Sequence, residues 1–154
     1  MPTETERKFL VKSDEWRKKA KGISYRQGYL STKVARTVRV RIAGEKAYIT
    51  IKGKNKGASR AEYEYEIPVP DATEMLENLC KKPLVEKKRY TFKQNGVTWE
   101  VDEFEGDNEG LIVAEVEIED ENQEIKSPNW IGKEVTGITQ YYNSSLVKKP
   151  FSKW

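Results

Sequence analysis

Charged residues in this chain recur in pairs separated by one residue, and most pairs carry a single sign. Glu4 and Glu6, Glu62 and Glu64, Glu100 and Asp102, and Glu115 and Glu117 are acidic; Arg39 and Arg41, and Lys87 and Arg89, are basic. Lys8 extends the first of these rows, and Lys52 stands on a segment of its own. In a strand, residues two apart project from the same face. One such pair alone reads as a solvated sheet face, because charged side chains are mostly exposed. A repeated set sorted by sign reads differently, since water-facing sheets usually mix uncharged polar residues among their charges. Turned inward, these faces would set an acidic patch against a basic one, and buried charge must be compensated. A divalent cation on the carboxylates and a polyanion on the Arg and Lys side chains would satisfy both. Arg grips phosphate oxygens through a planar fork, and Lys acts as a point charge. A carboxylate-held metal polarises a phosphoryl oxygen and makes water more nucleophilic. The chemistry indicated is hydrolysis of a triphosphate, which depends on positioning and charge stabilisation and needs no nucleophilic triad.

Composition narrows the alternatives. The chain has no histidine, so any metal is held by oxygen, which favours Mg²⁺, Mn²⁺ or Ca²⁺. Cys80 is the one cysteine, which excludes an intrachain disulfide and a cysteine zinc cluster; it follows a helix stripe and reads as a small core residue. With 28 Lys and Arg against 25 Asp and Glu, the net charge of +3 is too balanced for a bulk nucleic-acid binder. No GxxxxGK[ST] loop is present. No apolar run is long enough to span a membrane, and Met1-Pro2-Thr3-Glu4 does not open a signal peptide. The expected location is the cytoplasm, where the Asn143-Ser144-Ser145 sequon would have no meaning.

The elements that must carry these pairs have period two. Alternating segments run over 3–11, 24–31, 37–42, 46–53, 61–69, 84–93, 97–104 and 111–119. Gly44-Glu45 and Asn95-Gly96 are hairpin turns. A helix over 72–79, capped by Asp71, presents Met75, Leu76 and Leu79 and ends before Pro83. Short helices are expected at 13–20 and near 139–147. The loop from Gly53 to Arg60 reads as a polar lid or a solvated hairpin loop, with Arg60 the better candidate for a phosphate contact. The expectation is one α+β domain over 1–154. Its centre is a closed eight-stranded antiparallel β-barrel, a tunnel with a few flanking short helices, since closure removes sheet edges.

In this order the residues resemble those of the CYTH proteins, also called triphosphate tunnel metalloenzymes. The carrying motif is Glu4-Thr5-Glu6-Arg7-Lys8. Gln27-Gly28-Tyr29-Leu30, Arg39-Val40-Arg41, Thr50-Ile51-Lys52, Ser59-Arg60-Ala61-Glu62-Tyr63-Glu64, Lys87-Lys88-Arg89-Tyr90, Trp99-Glu100-Val101-Asp102, Ala114-Glu115-Val116-Glu117 and Gly132-Lys133-Glu134-Val135-Thr136 follow along nearly the whole chain. The resemblance implies an eight-stranded tunnel that binds triphosphate with Mg²⁺ or Mn²⁺. Members include inorganic, thiamine and RNA triphosphatases and class IV adenylyl cyclases. By position, Lys8, Arg39, Arg41, Lys52, Arg60, Lys87 and Arg89 would hold phosphate. Glu4, Glu6, Glu115 and Glu117 would hold metal, with Glu62, Glu64, Glu100 and Asp102 as further acids of the metal set. Glu4, Glu6, Lys87 and Tyr29 would be catalytic, Tyr29 and Lys87 forming a pair near the phosphate.

One segment departs from that pattern. After Val135-Thr136 the family often has an Asp, one residue, Arg and Tyr, whereas here Ile138, Thr139 and Gln140 precede Tyr141. Loss of both an acid and a base suggests that the two pair with each other. The expected reaction is attack of metal-activated water on the terminal phosphoryl group of inorganic tripolyphosphate or a small organic triphosphate. The alternatives are an adenylyl cyclase acting on ATP and a non-catalytic polyphosphate or nucleotide binder. The expected partner is the small triphosphate substrate, without membrane or nucleic acid. A homodimer is compatible with the sequence, but nothing forces one.

Overall fold

Alternation decides which side of the wall each residue meets. A computed structural model describes residues 3–154. Met1 and Pro2, part of the N-terminal reading above, lie outside them. The strands are β1 (Thr3–Val11), β2 (Ile23–Lys33), β3 (Arg36–Ala43), β4 (Lys46–Gly53), β5 (Ser59–Ile67), β6 (Val85–Gln94), β7 (Val97–Phe104), β8 (Ile112–Glu117) and β9 (Ile131–Glu134). They are antiparallel in the order β5-β4-β3-β2-β6-β7-β8-β1, and β1 pairs back with β5 to close an eight-stranded barrel. The ninth strand was not expected from the sequence. Thr3, Glu4 and Thr5 use one edge of β1 to meet β5, and further along Phe9 and Val11 meet β9. The short β9 therefore covers the part of the β1 edge that β5 leaves unpaired, as edge protection requires.

This barrel is apolar outside and charged along its central inner face, with one inner end filled by Val85, Phe104 and Val113. Phe9, Trp99, Val101, Ala114 and Val116 alternate with the charged pairs and face outward. There they join Trp16, Phe92, Ile118 and Trp130 in the largest buried cluster. Trp16, Trp99 and Trp130 are almost wholly buried, and the ring centroids of Trp99 and Trp130 lie 5.4 Å apart, edge to face. Such aromatic packing supplies much of the apolar burial that a charged interior cannot.

The two helices take different places: one lies against the outer wall, whereas the other closes one end of the barrel, where Tyr142, Asn143 and Ser144 line the cavity. Helix α1 (Val69–Asn78) begins after Pro68, three residues earlier than Asp71 capping requires; Asp71 instead lies in its first turn, where it complements the helix dipole. Ala72 and Leu76 bury against Val40, Ala47 and Cys80, whereas Leu79 of the expected stripe is exposed. Helix α2 (Asn143–Lys148) follows a single 3₁₀ turn at Thr139–Tyr141 and packs Leu146 and Val147 on Tyr29, Val85, Phe104 and Val113. The expected 13–20 helix is only a 3₁₀ turn at Glu15–Lys18. No described helix is long and apolar enough to cross a membrane.

Close packing under α1 sets a firm requirement at Gly28. A Cβ there would lie 2.7 Å from Leu84 Cδ2 and 2.8 Å from Cys80 Cβ. Gly28→Ala is therefore expected to destabilise the protein by about 1–3 kcal/mol, the range for overpacked cores. Urea unfolding measures this, and an unchanged midpoint would refute it.

Candidate functional site

Barrel closure does what the linear order of charges does not reveal. Going round the wall, the basic residues come from β4 (Lys52), β3 (Arg39 and Arg41) and β6 (Lys87 and Arg89), with β2 between β3 and β6. The acidic pairs come from β7, β8, β1 and β5, which are contiguous once β1 meets β5. One half of the tunnel is basic and the other acidic. Lys8 on β1 and Arg60 on β5 are the two cations placed in the acidic half. The cavity between the halves measures about 190 Å³. It is lined by Glu4, Glu6, Lys8, Tyr29, Arg39, Arg41, Lys52, Arg60, Glu62, Glu64, Lys87, Arg89, Glu100, Glu115 and Glu117. Of the candidate residues, only Asp102 stands behind this lining.

Ion pairs are dense where the halves meet. At one boundary, Lys52 Nζ lies 2.8 Å from Glu4 Oε1 and 3.4 Å from Glu62 Oε2, while Arg60 Nε donates to Glu4 Oε1 at 2.9 Å. Burial alone would push the Glu4 carboxyl up, but Lys52 and Arg60 outweigh it and hold its pKa at about 2. At the other boundary, Asp102 accepts from Arg89 Nε at 2.7 Å, Arg89 Nη2 at 2.9 Å and Lys87 Nζ at 2.7 Å. Arg89 also reaches Glu100 at 3.2 Å. Both Asp102 oxygens accept hydrogen bonds from Lys87 or Arg89, and the residue stands behind the cavity lining, unlike the other acids expected in the metal set.

Away from the boundaries, charge is poorly compensated. Arg39 and Arg41 share one carboxylate, Glu64, at 3.5 and 3.6 Å. The Nε atoms of both are buried without a hydrogen-bond partner. Burial, with Arg39 and Arg89 nearby, lowers the pKa of Arg41 to about 10. Across the tunnel, Glu6 faces Glu117 and Lys8 faces Glu115 in the β1–β8 register. Lys8 Nζ stands 4.0 Å from Glu6 and 3.7 Å from Glu115, beyond hydrogen-bond distance of either. Burial and the Glu115 charge raise the pKa of Glu6 to about 8. Glu115 itself is also pushed up by burial, but Lys8, Arg89 and Lys87 outweigh that and bring it well below the usual carboxylate range.

A hard divalent cation fits this acidic centre. The donors are all oxygens, and Glu6, raised by burial and then by the neighbouring Glu115, would gain from added positive charge. Among the described residues no three acidic side chains converge into a ready-made ligand sphere. A small hard cation can keep several waters and bind through one or two carboxylates plus substrate phosphates.

The floor of the tunnel contains residues that sequence reasoning did not single out. Tyr29 and Lys87 are joined indirectly. Gln27 Nε2 donates to Tyr29 Oη at 3.4 Å and to Asn143 Oδ1 at 3.0 Å, and Lys87 Nζ donates to the same Asn143 oxygen at 3.1 Å. Burial pushes the Tyr29 hydroxyl pKa up. Burial likewise lowers Lys87 to about 7, although Asp102 opposes the shift. Gln27 belongs to the Gln27-Gly28-Tyr29-Leu30 motif, whereas Asn143 carries no sequence signal beyond its sequon, and only its place at the start of α2 brings it here. Tyr142 meets Lys8 at 5.1 Å and Arg60 at 5.7 Å from its ring centroid. The Ile138–Gln140 departure is solvent-exposed and does not line the cavity. In the 53–60 loop, Lys54 and Lys56 are exposed, whereas Arg60 points into the tunnel.

Comparison with known proteins agrees with this geometry. The CYTH domain pattern matches residues 2–150. An inorganic triphosphatase of Acetivibrio thermocellus is 54% identical over 154 residues, covering 100% of this chain and 99% of that one. An inorganic triphosphatase of Nitrosomonas europaea is 38% identical over 148 residues, 94% of this chain and 96% of that one. A crystal structure described as an inorganic triphosphatase superposes with a TM-score of 0.65 at 35% identity, covering 93% of this chain and 96% of its own.

Proposed function

The chain belongs to the CYTH domain family, and from that premise we propose that it is a metal-dependent triphosphatase that hydrolyses the terminal phosphoryl group of inorganic tripolyphosphate. The observation that carries this reading is the pair of buried guanidiniums, Arg39 and Arg41, whose Nε atoms lack partners and which share one acid. A polyanion would complete them. Support also comes from the two inorganic triphosphatases similar over nearly the whole chain.

In this mechanism Arg39, Arg41, Lys52, Lys8, Lys87 and Arg89 hold the phosphate oxygens and stabilise charge on the transferring group. Lys52 and Arg60 enter already bound to Glu4. As phosphate draws these cations away, the Glu4 carboxylate becomes available on the acidic side. Glu6, Glu115 and Glu117, with Glu4 so released, would hold Mg²⁺ or Mn²⁺. Such a cation supplies neutralisation of phosphoryl oxygens and lowers the pKa of water. Water adds to the terminal phosphorus, the bridging P–O bond breaks, and orthophosphate and pyrophosphate leave. Glu62, Glu64 and Glu100 are pair partners that keep the basic groups oriented.

An adenylyl cyclase would need a surface for the base. The aromatic residues lining the cavity, Tyr29 and Tyr142, are both buried, and cations lie over the Tyr142 ring. The lining therefore favours a bare phosphate chain over a nucleotide. Phosphate release from tripolyphosphate is expected to exceed that from ATP, to stop with EDTA, and to return with added Mg²⁺ or Mn²⁺. Release unaffected by chelation would refute the metal dependence. Cyclic AMP formed from ATP would replace the reading with a cyclase.

A further inference from the structure

We infer that Asn143 is a positioning residue for this reaction, acting through Lys87; the inference rests on the reading above that Lys87 holds substrate phosphate. An ammonium group has three N–H donors in tetrahedral array and no acceptor. In Lys87, one hydrogen bond goes to Asp102 Oδ2 at 2.7 Å and one to Asn143 Oδ1 at 3.1 Å. Fixing two donors fixes the direction of the third. Lys87 is 1% exposed, and its side chain lines the cavity, so that third donor has the tunnel as its outlet.

The amide orientation of Asn143 follows from its partners. Gln27 Nε2 and Lys87 Nζ can only donate, so the atom between them must be the oxygen. Gln27 is fully buried, and its amide nitrogen reaches both Asn143 and Tyr29. Asn143 therefore ties Gln27 and Lys87 directly, and Tyr29 through Gln27, to a helix that follows the barrel in the chain. Helix α2 is itself held by Leu146 and Val147, buried against Val85, Phe104 and Val113 at one inner end of the barrel. The acceptor is thus anchored from outside the sheet while its partners sit within it.

Asp102 alone would leave the Lys87 ammonium free to rotate about a single bond. It would also leave the buried amide of Gln27 short of an acceptor. Misplacement of a positioning group by about 1 Å can cost about 100-fold in rate. Removal of the Asn143 acceptor is accordingly expected to act on turnover much more than on substrate binding, which the Arg39 and Arg41 side sustains.

The test is a double-mutant cycle with tripolyphosphate and Mn²⁺. Asn143→Leu keeps the side-chain bulk and removes the acceptor; it should lower kcat about 10–100-fold with KM within about threefold. Asn143→Asp keeps an acceptor facing both donors and should recover at least about tenfold over Asn143→Leu. In a Lys87→Ala background, Asn143→Leu should cost nothing further, because its effect passes through the absent ammonium. A merely structural role would lower the thermal midpoint and multiply the two losses. Should Asn143→Leu fold poorly, the same cycle with Asn143→Ala applies. Additive losses, or unchanged kcat in the Leu variant, would overturn the inference while leaving the triphosphatase reading intact. A wild-type protein with no triphosphate turnover would instead overturn that reading and this inference with it.

Discussion

Replacing Arg41 with alanine is expected to lower kcat on tripolyphosphate about 100–1,000-fold, the usual cost of removing one preorganised donor to a developing charge. Arg41 sits on β3 in the middle of the basic half. Its Nε has no protein partner. Its one carboxylate, Glu64, is 3.6 Å away and shared with Arg39. Burial and two neighbouring guanidiniums reduce its pKa to about 10, so the fold alone gains little from its charge. Its removal should therefore leave the thermal midpoint of the ligand-free protein unchanged or higher, while the gain in midpoint on adding tripolyphosphate shrinks. Arg41→Lys restores a charge without the fork and should be intermediate in rate. Full turnover in Arg41→Ala, or a large fall in its ligand-free stability, would show that the residue is structural rather than a phosphate contact.

Asp102 carries the opposite prediction. It is wholly buried, it bonds both Lys87 and Arg89, and it does not line the cavity. Asp102→Ala strands two buried cations, and breaking a buried pair in this way costs about 3–5 kcal/mol. For a chain of this size that corresponds to a thermal midpoint lower by roughly 10 °C. Burial raises the carboxyl pKa, but Arg89 and Lys87 outweigh it and lower the value overall. A depressed folded-state pKa contributes stability above the unfolded Asp value of about 3.9, and that stability is lost as pH falls through the folded value. The difference between wild type and Asp102→Asn should accordingly be full at neutral pH and narrow below about pH 4. A difference independent of pH would mean that the carboxylate charge is not what stabilises the site.

Much of this architecture is legible in the sequence because period-two patterning reports directly on strand faces. Pairs such as Arg39 and Arg41, or Glu115 and Glu117, mark the same side of a strand by spacing alone. Strand ends were less clear. Helix α1 starts at Val69 because Pro68 fixes the turn, although Asp71 looked the better cap. The strand β9 has only four residues, too few to show an alternation, and its role depends on how much of the β1 edge remains bare. Asn143 was overlooked because one amide on a short polar stretch carries no periodic signal, and its partners lie 56 and 116 residues away.

By itself, the sequence determined that the inner faces would be charged, sorted by sign and served by oxygen ligands, since residue type and spacing fix those properties locally. Tertiary structure alone decided which strands became neighbours. Closing β1 on β5 gathered four acidic strands into one half, and placing β2 and β6 beside β3 gathered the basic residues into the other. That ordering chose the pairs. Asp102 became an internal counter-ion because β6 lies beside β7, whereas Glu6 and Arg41, each near the middle of its own half, remained short of opposite charge. Electrostatic compensation falls off with distance, so the residues farthest from the boundaries between the halves were left to a ligand.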